Sequence, residues 1–341
     1  MDRALPMAMS DAHLRAPQAG GEESLALAEN LARGSSDPEQ AREAARIFAL
    51  EGLRERAIDV LRQGILTHPR HSEMLASLAD LLSRTGTFEE ADLYFGKALE
   101  SEPKNVETWY LQALHHGRQG HVAPAQAAYE EVVRLKPDHV KAWVNLGLAL
   151  ADGGDRDGAR RALERAVRAD PGCAEAHSNL GVLLAEAGHK EEALDEFRRA
   201  VDINPDCSES HFNLGWALLA GDELAQAETT LSESVRLDPG NVEGLYALAL
   251  LHQRTGSYAR AVSELKQAIE KRPDDARLHY YLGMAYNSQE AADQAILALE
   301  TAARLRPDDP RIYRLLGVAF DKKELPARAR EAYRRAAALS G

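Results

Sequence analysis

The chain has 341 residues, of which 45% are hydrophobic and 28% are charged. This composition provides enough apolar material for a buried core and excludes wholesale disorder. The net charge of −13 opposes binding to the phosphates of nucleic acids. No apolar run reaches the roughly 18 residues of a membrane span, and Asp2 and Pro6 interrupt any signal-peptide core.

Two cysteines are too few for a disulfide framework and are typical of a reducing compartment. These features together predict a cytoplasmic protein without a membrane span or a nucleic-acid partner. Arg outnumbers Lys by 32 to 9, a bias that favours a bacterial source with a GC-rich genome. Function must therefore be argued from motifs and their spacing.

The first elements differ from the rest of the chain. Residues 1–21 contain small and polar residues without periodicity and predict a mobile tail. Residues 22–33 form a predicted amphipathic helix, followed by a Gly-Ser-Ser-Asp-Pro turn that ends at Pro38. We interpret residues 22–37 as an N-terminal cap. One face of its helix carries Leu25, Ala28 and Leu31.

A 34-residue period organises everything that follows. Eight prolines stand at this spacing, namely Pro69, Pro103, Pro137, Pro171, Pro205, Pro239, Pro273 and Pro307. Alanines precede them by twelve residues and continue to Ala329, and a large apolar residue follows each alanine one helical turn later. The period predicts nine units: residues 38–71, 72–105, 106–139, 140–173, 174–207, 208–241, 242–275, 276–309 and 310–341.

Each unit has the pattern of a helical hairpin. Apolar residues recur at i, i+3 and i+7 in the first half, and a glycine such as Gly86 or Gly120 supplies the turn. A small residue in the middle of the first helix predicts a close approach of small residue to small residue between helices. The proline then ends the second helix. These small residues are Ala79, Gly147, Gly181, Gly215, Gly283 and Gly317.

In length, register and residue types the nine units resemble the tetratricopeptide repeat family. The resemblance implies an all-α fold, in which antiparallel helix pairs stack into a right-handed superhelical α-solenoid and first helices line the concave face. The pattern departs from the family at Gly64, Gln112 and Val132, which predicts slightly irregular packing in the third unit.

Three consecutive units carry an asparagine before the central leucine of the first helix: Asn145, Asn179 and Asn213. This run resembles the asparagine ladder in the superhelical repeat domain of O-GlcNAc transferase. An amide side chain donates and accepts hydrogen bonds, so it can bind an extended peptide backbone. The alternative is that these amides only bond to a neighbouring hairpin.

Large side chains follow at first-helix positions that the resemblance directs into the groove. We predict that they bind a peptide, because exposed aromatic side chains on a groove mark interaction sites. Trp216 is the strongest candidate, and the alternative is burial of the rings against adjacent hairpins. The set is Phe212, Trp216, Tyr246, Tyr280, Tyr281 and Met284.

No metal or cofactor site is predicted. Cys173 with His177, and Cys207 with His211, lie one repeat apart, and packed helices about 8–10 Å apart cannot share one zinc ion. The adjacent His115 and His116 are expected to point in different directions and to lie on the surface.

The last unit is basic, since residues 310–341 hold eight cations and three acids. This segment is a candidate contact for an acidic partner, and the alternative is a solvated helix face. The candidate residues are Arg311, Arg314, Lys322 and Lys323.

The leading hypothesis is a non-catalytic adaptor or scaffold that binds an extended peptide segment of a partner protein in its concave groove. No nucleophile elbow or phosphate loop indicates an enzyme. Two alternatives stay open. The chain could self-associate through its end repeats, or it could recruit substrates for a separate enzyme.

Overall fold

The computed structural model describes residues 21–33 and 37–340. Of the predicted tail of residues 1–21, only Gly21 is described, and it is the first residue of a helix. All regular elements in this part of the chain are α-helices. The contacts divide the chain near Leu184 into two compact units, which we call the N-terminal and the C-terminal unit. Among the described residues, no helix has the length and apolar character needed to cross a membrane.

The N-terminal unit begins with α1 (Gly21–Arg33), which precedes the first hairpin. The helices that follow are α2 (Pro38–Leu50), α3 (Arg54–Thr67), α4 (Ser72–Arg84), α5 (Phe88–Ser101), α6 (Val106–Arg118), α7 (Val122–Leu135), α8 (Val140–Asp152) and α9 (Arg156–Ala169). The division between the units falls within α10 (Ala174–Glu186).

The C-terminal unit continues the same alternation of shorter and longer helices. Its helices are α11 (Lys190–Ile203), α12 (Ser208–Ala220), α13 (Leu224–Leu237), α14 (Val242–Arg254), α15 (Tyr258–Lys271), α16 (Ala276–Ser288), α17 (Ala292–Leu305), α18 (Pro310–Lys322) and α19 (Pro326–Ser340). Within each unit consecutive helices pack as antiparallel pairs, as in a tetratricopeptide repeat solenoid. The predicted all-α hairpin fold is confirmed.

The periodic residues of the second helices belong to the core. Every periodic alanine from Ala57 to Ala329 is buried, and so is the large apolar residue one turn later in the first eight units. In the last unit that residue, Tyr333, is 38% exposed. At the other end, Ala28 of α1 is buried in one apolar cluster with Phe48 of α2, so α1 covers the first hairpin.

The central glycine of the first helix contacts a large side chain, and the predicted approach of small residue to small residue is wrong. A Cβ atom on Gly283 would lie 2.4 Å from Leu299 Cγ, because the glycine faces the residue sixteen positions later on the second helix. Gly147 and Gly215 face Leu163 and Leu231 in the same way. The glycine leaves room for a leucine, which keeps the interior close-packed.

Gly64 is one of the departures from the family pattern, and a large neighbouring side chain explains the glycine there as well. A Cβ atom there would lie 2.8 Å from Met74 Cε of the next hairpin, so the methionine fills the space that an alanine would occupy. In the third unit α6 has 13 residues and α7 has 14, as in the neighbouring hairpins. The slightly irregular packing predicted for this unit stays a prediction.

A recurrent hydrogen bond joins the fourth residue of a first helix to the carbonyl of the proline six residues earlier. Trp143 Nε1 donates to Pro137 at 2.9 Å, and His211 Nε2 bonds to Pro205 at 2.8 Å. This bond explains the histidines of the two Cys–His pairs, because each imidazole ring donates to a backbone carbonyl. The other residues that form it are Trp109, His177, His279 and Tyr313.

The turn inside each hairpin requires a backbone with positive φ. Glycine occupies that position in six hairpins, from Gly52 to Gly256, whereas Asp222, Glu290 and Glu324 occupy it in three others. For a residue with a Cβ atom, this left-handed conformation costs roughly 1–2 kcal/mol. The turns at Asp222, Glu290 and Glu324 are therefore strained.

Glu290→Gly is expected to stabilise the chain by about 0.5–1 kcal/mol, because relief of strain at φ 60° exceeds the added entropy of the unfolded chain. Urea denaturation measures the difference. Glu290→Ala is the control, since it removes the carboxylate but keeps the Cβ atom. Equal stabilities for the glycine and alanine variants would contradict the strain argument.

Candidate functional site

Five aromatic rings form a continuous series in the C-terminal unit, which we call the aromatic stripe. The ring centroids of Phe212 and Trp216 are 6.1 Å apart, and Trp216 stacks on Tyr246 at 6.4 Å. Tyr246 meets Tyr281 edge-on at 5.2 Å, and Tyr281 meets Tyr280 at 5.1 Å. The rings thus connect α12, α14 and α16 without a gap.

The repeat register explains why these rings come together. Phe212, Tyr246 and Tyr280 occupy the same position in three successive units, because they are 34 residues apart. Trp216 lies one turn after Phe212 on the same face of α12. Its equivalent in α16 is Met284, which is partly exposed.

The rings differ in exposure, and two of them are more buried than the sequence predicts. Phe212 is 7% exposed and Tyr246 is 8% exposed, because neighbouring rings cover them. The prediction that all of these side chains are open to the groove is corrected accordingly. Trp216, Tyr280 and Tyr281 keep part of their surface accessible, so they form the contact surface of the stripe.

Two arginines flank the stripe. The Arg277 guanidinium lies 5.3 Å from the Tyr246 ring centroid, and Asp275 and Glu243 hold it at 2.6 and 3.3 Å. Arg311 lies 5.9 Å from the Tyr280 ring and pairs with Asp309 at 2.9 Å. Such cation–π contacts contribute about 0.5–2 kcal/mol and fix the edge of the stripe.

The phenols of Tyr246 and Tyr280 are neutral hydrogen-bonding groups. Burial, with a hydrogen bond to Tyr281, raises the pKa of Tyr246. Burial also raises the pKa of Tyr280. The stripe therefore combines apolar ring faces with uncharged hydroxyl groups, a combination suited to peptide side chains and backbone amides.

The three asparagines are all buried. Asn145 is 5% exposed, and its Nδ2 atom donates to the Tyr110 hydroxyl at 3.2 Å, a bond between neighbouring hairpins of the N-terminal unit. Asn179 and Asn213 are each 1% exposed. The bond of Asn145 agrees with the alternative of a structural amide, and the role of the three residues as peptide ligands stays a prediction.

The basic end already has internal partners. Lys322 Nζ donates to the Asn287 carbonyl at 2.6 Å, and Lys323 pairs with Asp293 at 2.7 Å. Arg314 donates to Ser340 Oγ at 3.0 Å. An acidic partner would have to compete with these contacts and with the Arg311–Asp309 pair, so this contact also stays a prediction.

The expectation that His115 and His116 are surface residues pointing apart is wrong for His115. It is fully buried, and its ring centroid lies 5.3 Å from the Phe95 ring and 5.3 Å from the His116 ring. His115 Nε2 lies 3.0 Å from Asp92 Oδ1 of α5. The sequence pattern of α6 alone could not reveal this contact, because its partners come from the preceding helix.

Three family models match the chain. Two are described as tetratricopeptide repeats and match residues 72–105 and 118–183. The third is described as the C-terminal domain of cilia and flagella-associated protein 70 and matches residues 153–341, more than half of the chain. No curated protein matches the chain significantly in sequence.

Solved structures of other proteins resemble the chain at low identity. The Cut9–Hcn1 hetero-tetramer of the APC/C is 19% identical with a TM-score of 0.55, over 94% of this chain and 64% of that chain. A tetratricopeptide repeat protein from Parabacteroides merdae ATCC 43184 is 18% identical with a TM-score of 0.53, over 69% of this chain and 93% of that chain. MamA from Desulfovibrio magneticus RS-1 is 24% identical with a TM-score of 0.47, over 49% of this chain and 94% of that chain.

Tetratricopeptide repeat domains mediate contacts between proteins and are typically non-catalytic. The repeat matches, the helical hairpins and the match over residues 153–341 agree with one another. The chain is therefore a tetratricopeptide repeat protein, and it belongs to the family represented by the C-terminal domain of cilia and flagella-associated protein 70.

Proposed function

We propose that the chain is an adaptor or scaffold that binds an extended segment of a partner protein, with the aromatic stripe as its anchor site. The observation that carries this proposal is the unbroken series of five rings across three successive hairpins, of which Trp216, Tyr280 and Tyr281 remain partly exposed. Partly exposed aromatic anchors supply a large part of the binding energy in many interfaces.

The chemistry of the stripe supports an apolar or aromatic side chain as the main ligand group. Such a side chain would contact the exposed parts of Trp216 and Tyr281 and release water from both. Arg277 and Arg311 lie at the edges, where they would meet carbonyl oxygens or a carboxylate of the bound segment. Their internal carboxylate partners limit this contribution, so the rings supply most of the affinity.

The asparagine ladder, by resemblance to the repeat domain of O-GlcNAc transferase, remains a second component of the proposal. Its members, Asn145, Asn179 and Asn213, would bind the peptide backbone only if their buried amides became accessible. The stripe needs no such change.

The cellular setting is also a proposal. The matching family model is named after a cilia and flagella-associated protein, which favours an assembly of that kind. The composition of the chain instead predicts a bacterial cytoplasm. The partner chemistry proposed here is the same in either setting.

Trp216→Ala is expected to weaken peptide binding by about 2 kcal/mol or more, which is roughly 30-fold in Kd. The probes are peptides selected from a random display library on the full chain, and fluorescence anisotropy measures their affinity. Trp216→Phe should retain most of the affinity, since it keeps a ring in the stripe.

Trp109→Ala is the matched control, because Trp109 is also a partly exposed tryptophan of a first helix but lies in the N-terminal unit. Its removal is expected to leave the affinity unchanged. Equal affinities of the Trp216→Ala variant and the unmodified chain, or an equal loss in both alanine variants, would exclude the stripe as the anchor site.

A further inference from the structure

We propose that Asp92, His115 and His116 of the N-terminal unit bind one divalent first-row metal ion of the zinc type. This inference is independent of the proposed peptide site, and it changes the expectation from sequence that the chain holds no metal site. The three residues come from α5 and α6, and each offers one ligand atom, all within 4.8 Å of one another.

The distances suit a shared ion. His115 Nε2 and Asp92 Oδ1 are 3.0 Å apart, close to the separation of two ligands that each lie about 2.0–2.1 Å from one zinc ion. Two ligands of one ion can be at most about 4.2 Å apart at these bond lengths. The ligand atoms lie within 4.8 Å of one another. A shift of the partly exposed His116 ring by less than about 1 Å therefore brings its ligand atom within the 4.2 Å limit.

Two polar side chains surround the Nε2 side of the His115 ring. Its Nε2 atom faces the carboxylate oxygen of Asp92 at 3.0 Å and the amide nitrogen of Gln119 at 2.7 Å. The nitrogen that faces Asp92 is therefore the ligand atom that His115 offers to an ion.

One nitrogen of each histidine has no hydrogen-bond partner among the described residues. The Nδ1 atoms of His115 and His116 are buried without a hydrogen-bond partner among the described residues. Buried polar atoms without partners are rare in folded proteins. An ion held by His115 Nε2 leaves the Nδ1 atom of that ring unchanged, so the Nδ1 atom of His116 is the one that supports the site.

The donor set identifies the class of ion. Two imidazoles and one carboxylate supply nitrogen and oxygen ligands, which suit zinc and its first-row neighbours and disfavour ions that require thiolates. The side chain of Asp92 is 50% exposed, so one coordination position faces solvent and can hold water.

The surroundings restrain the site. The rings of Phe88 and Phe95 lie 5.9 and 5.3 Å from the His115 ring and hold it in place. The ring centroid of a third imidazole, His121, lies 6.4 Å from that of His116. A bound ion would link α5 to α6 and stabilise their packing by mass action.

Zinc titration of the chelator-treated full chain tests the proposal, with calorimetry for affinity and stoichiometry and thermal melting for stability. We expect one equivalent to bind and to raise the melting temperature. His116→Gln and Asp92→Asn are expected to weaken binding by about tenfold or more, the loss typical of an impaired metal site. Both residues are at least partly exposed, so these variants are expected to fold.

Two controls separate this site from other ligands. The double variant Cys173→Ala, Cys207→Ala is expected to bind zinc as tightly as the unmodified chain. His189→Gln removes an exposed histidine that directly precedes α11 and is also expected to have no effect. Bound cobalt is expected to show ligand-field bands without a sulfur charge-transfer band.

The proposal is overturned by the absence of stoichiometric binding. It is also overturned if the His116→Gln and Asp92→Asn variants keep full affinity, or if binding depends on the cysteines. Loss of peptide binding in the Trp216→Ala variant has no bearing on any of these outcomes.

Discussion

Gly283→Ala is expected to destabilise the C-terminal unit by about 1–3 kcal/mol, although alanine is the better helix former. The new Cβ atom would lie 2.4 Å from Cγ and 2.8 Å from Cδ2 of Leu299, and Leu299 is fully buried. The leucine cannot move away without displacing the core of the hairpin. Urea denaturation measures the change, with hydrogen exchange in α16 and α17 as a local readout.

Gly96→Ala is the matched control for this substitution. Gly96 lies in the middle of α5, and a Cβ atom there would meet nothing within 4 Å. Alanine at this position is therefore expected to stabilise the chain by up to about 1 kcal/mol. A loss of stability in Gly283→Ala together with a gain in Gly96→Ala would isolate the contact with Leu299. A change of stability in the same direction for both variants would contradict it.

A double variant tests the same contact from its other side. Leu299→Ala alone is expected to cost about 2–5 kcal/mol, because it leaves a cavity. Combined with Gly283→Ala, the total cost is expected to be smaller than the sum of the two single effects, since the smaller side chain removes the overlap.

His252→Gln is expected to destabilise the C-terminal unit by about 2–3 kcal/mol at pH 6, the contribution typical of hydrogen bonds to charged groups. His252 is 4% exposed, and its Nδ1 and Nε2 atoms lie 2.8 Å from Glu264 and 3.2 Å from Glu228. Arg260 pairs with Glu228 on the outer side. Removal of the imidazole leaves two carboxylates without their shared partner.

The effect depends on pH in a direction that the charges determine. The hydrogen bond to Glu264, opposed by burial and supported by Glu228, raises the pKa of His252. The stabilisation is fully present below the unfolded pKa of about 6.5 and is lost as the pH rises through the higher folded value. The difference between the unmodified chain and the variant is therefore expected to shrink from pH 6 to pH 9.

Denaturation at several pH values measures this trend. His189→Gln is the control, because it removes an exposed histidine whose side chain is 46% accessible. That variant is expected to show a small and nearly constant difference. A difference in stability between the unmodified chain and the His252→Gln variant that stays constant or widens as the pH rises would contradict the ion-pair interpretation.

Much of the fold could be predicted because one pattern is repeated nine times. A single proline or alanine is weak evidence, but Pro69 to Pro307 at one spacing determine helix ends, turn positions and core residues together. The contact between Gly283 and Leu299 could not be predicted, because it depends on how two helices cross. Periodicity identifies the inner face of a helix but not its partner atoms.

The candidate site was predictable only in part for the same reason. The register brings Phe212, Tyr246 and Tyr280 into one column, and the sequence revealed that column. The burial of Tyr246 follows from Trp216 and Tyr281 on adjacent helices, which no single helix pattern contains. The contact of His115 with Asp92 is likewise a contact between hairpin partners.

The bond from the fourth residue of a first helix to the preceding proline carbonyl has a consequence for how such a chain can change length. It spans six residues at Trp109, Trp143, His177, His211, His279 and Tyr313 alike. One inserted residue in that loop would rotate the donor by about 100° around the helix and break the bond. Short insertions and deletions are thus penalised at each of these six junctions, while duplication or loss of a whole hairpin leaves each donor opposite its acceptor. Such a chain would gain and lose length during evolution in steps of 34 residues.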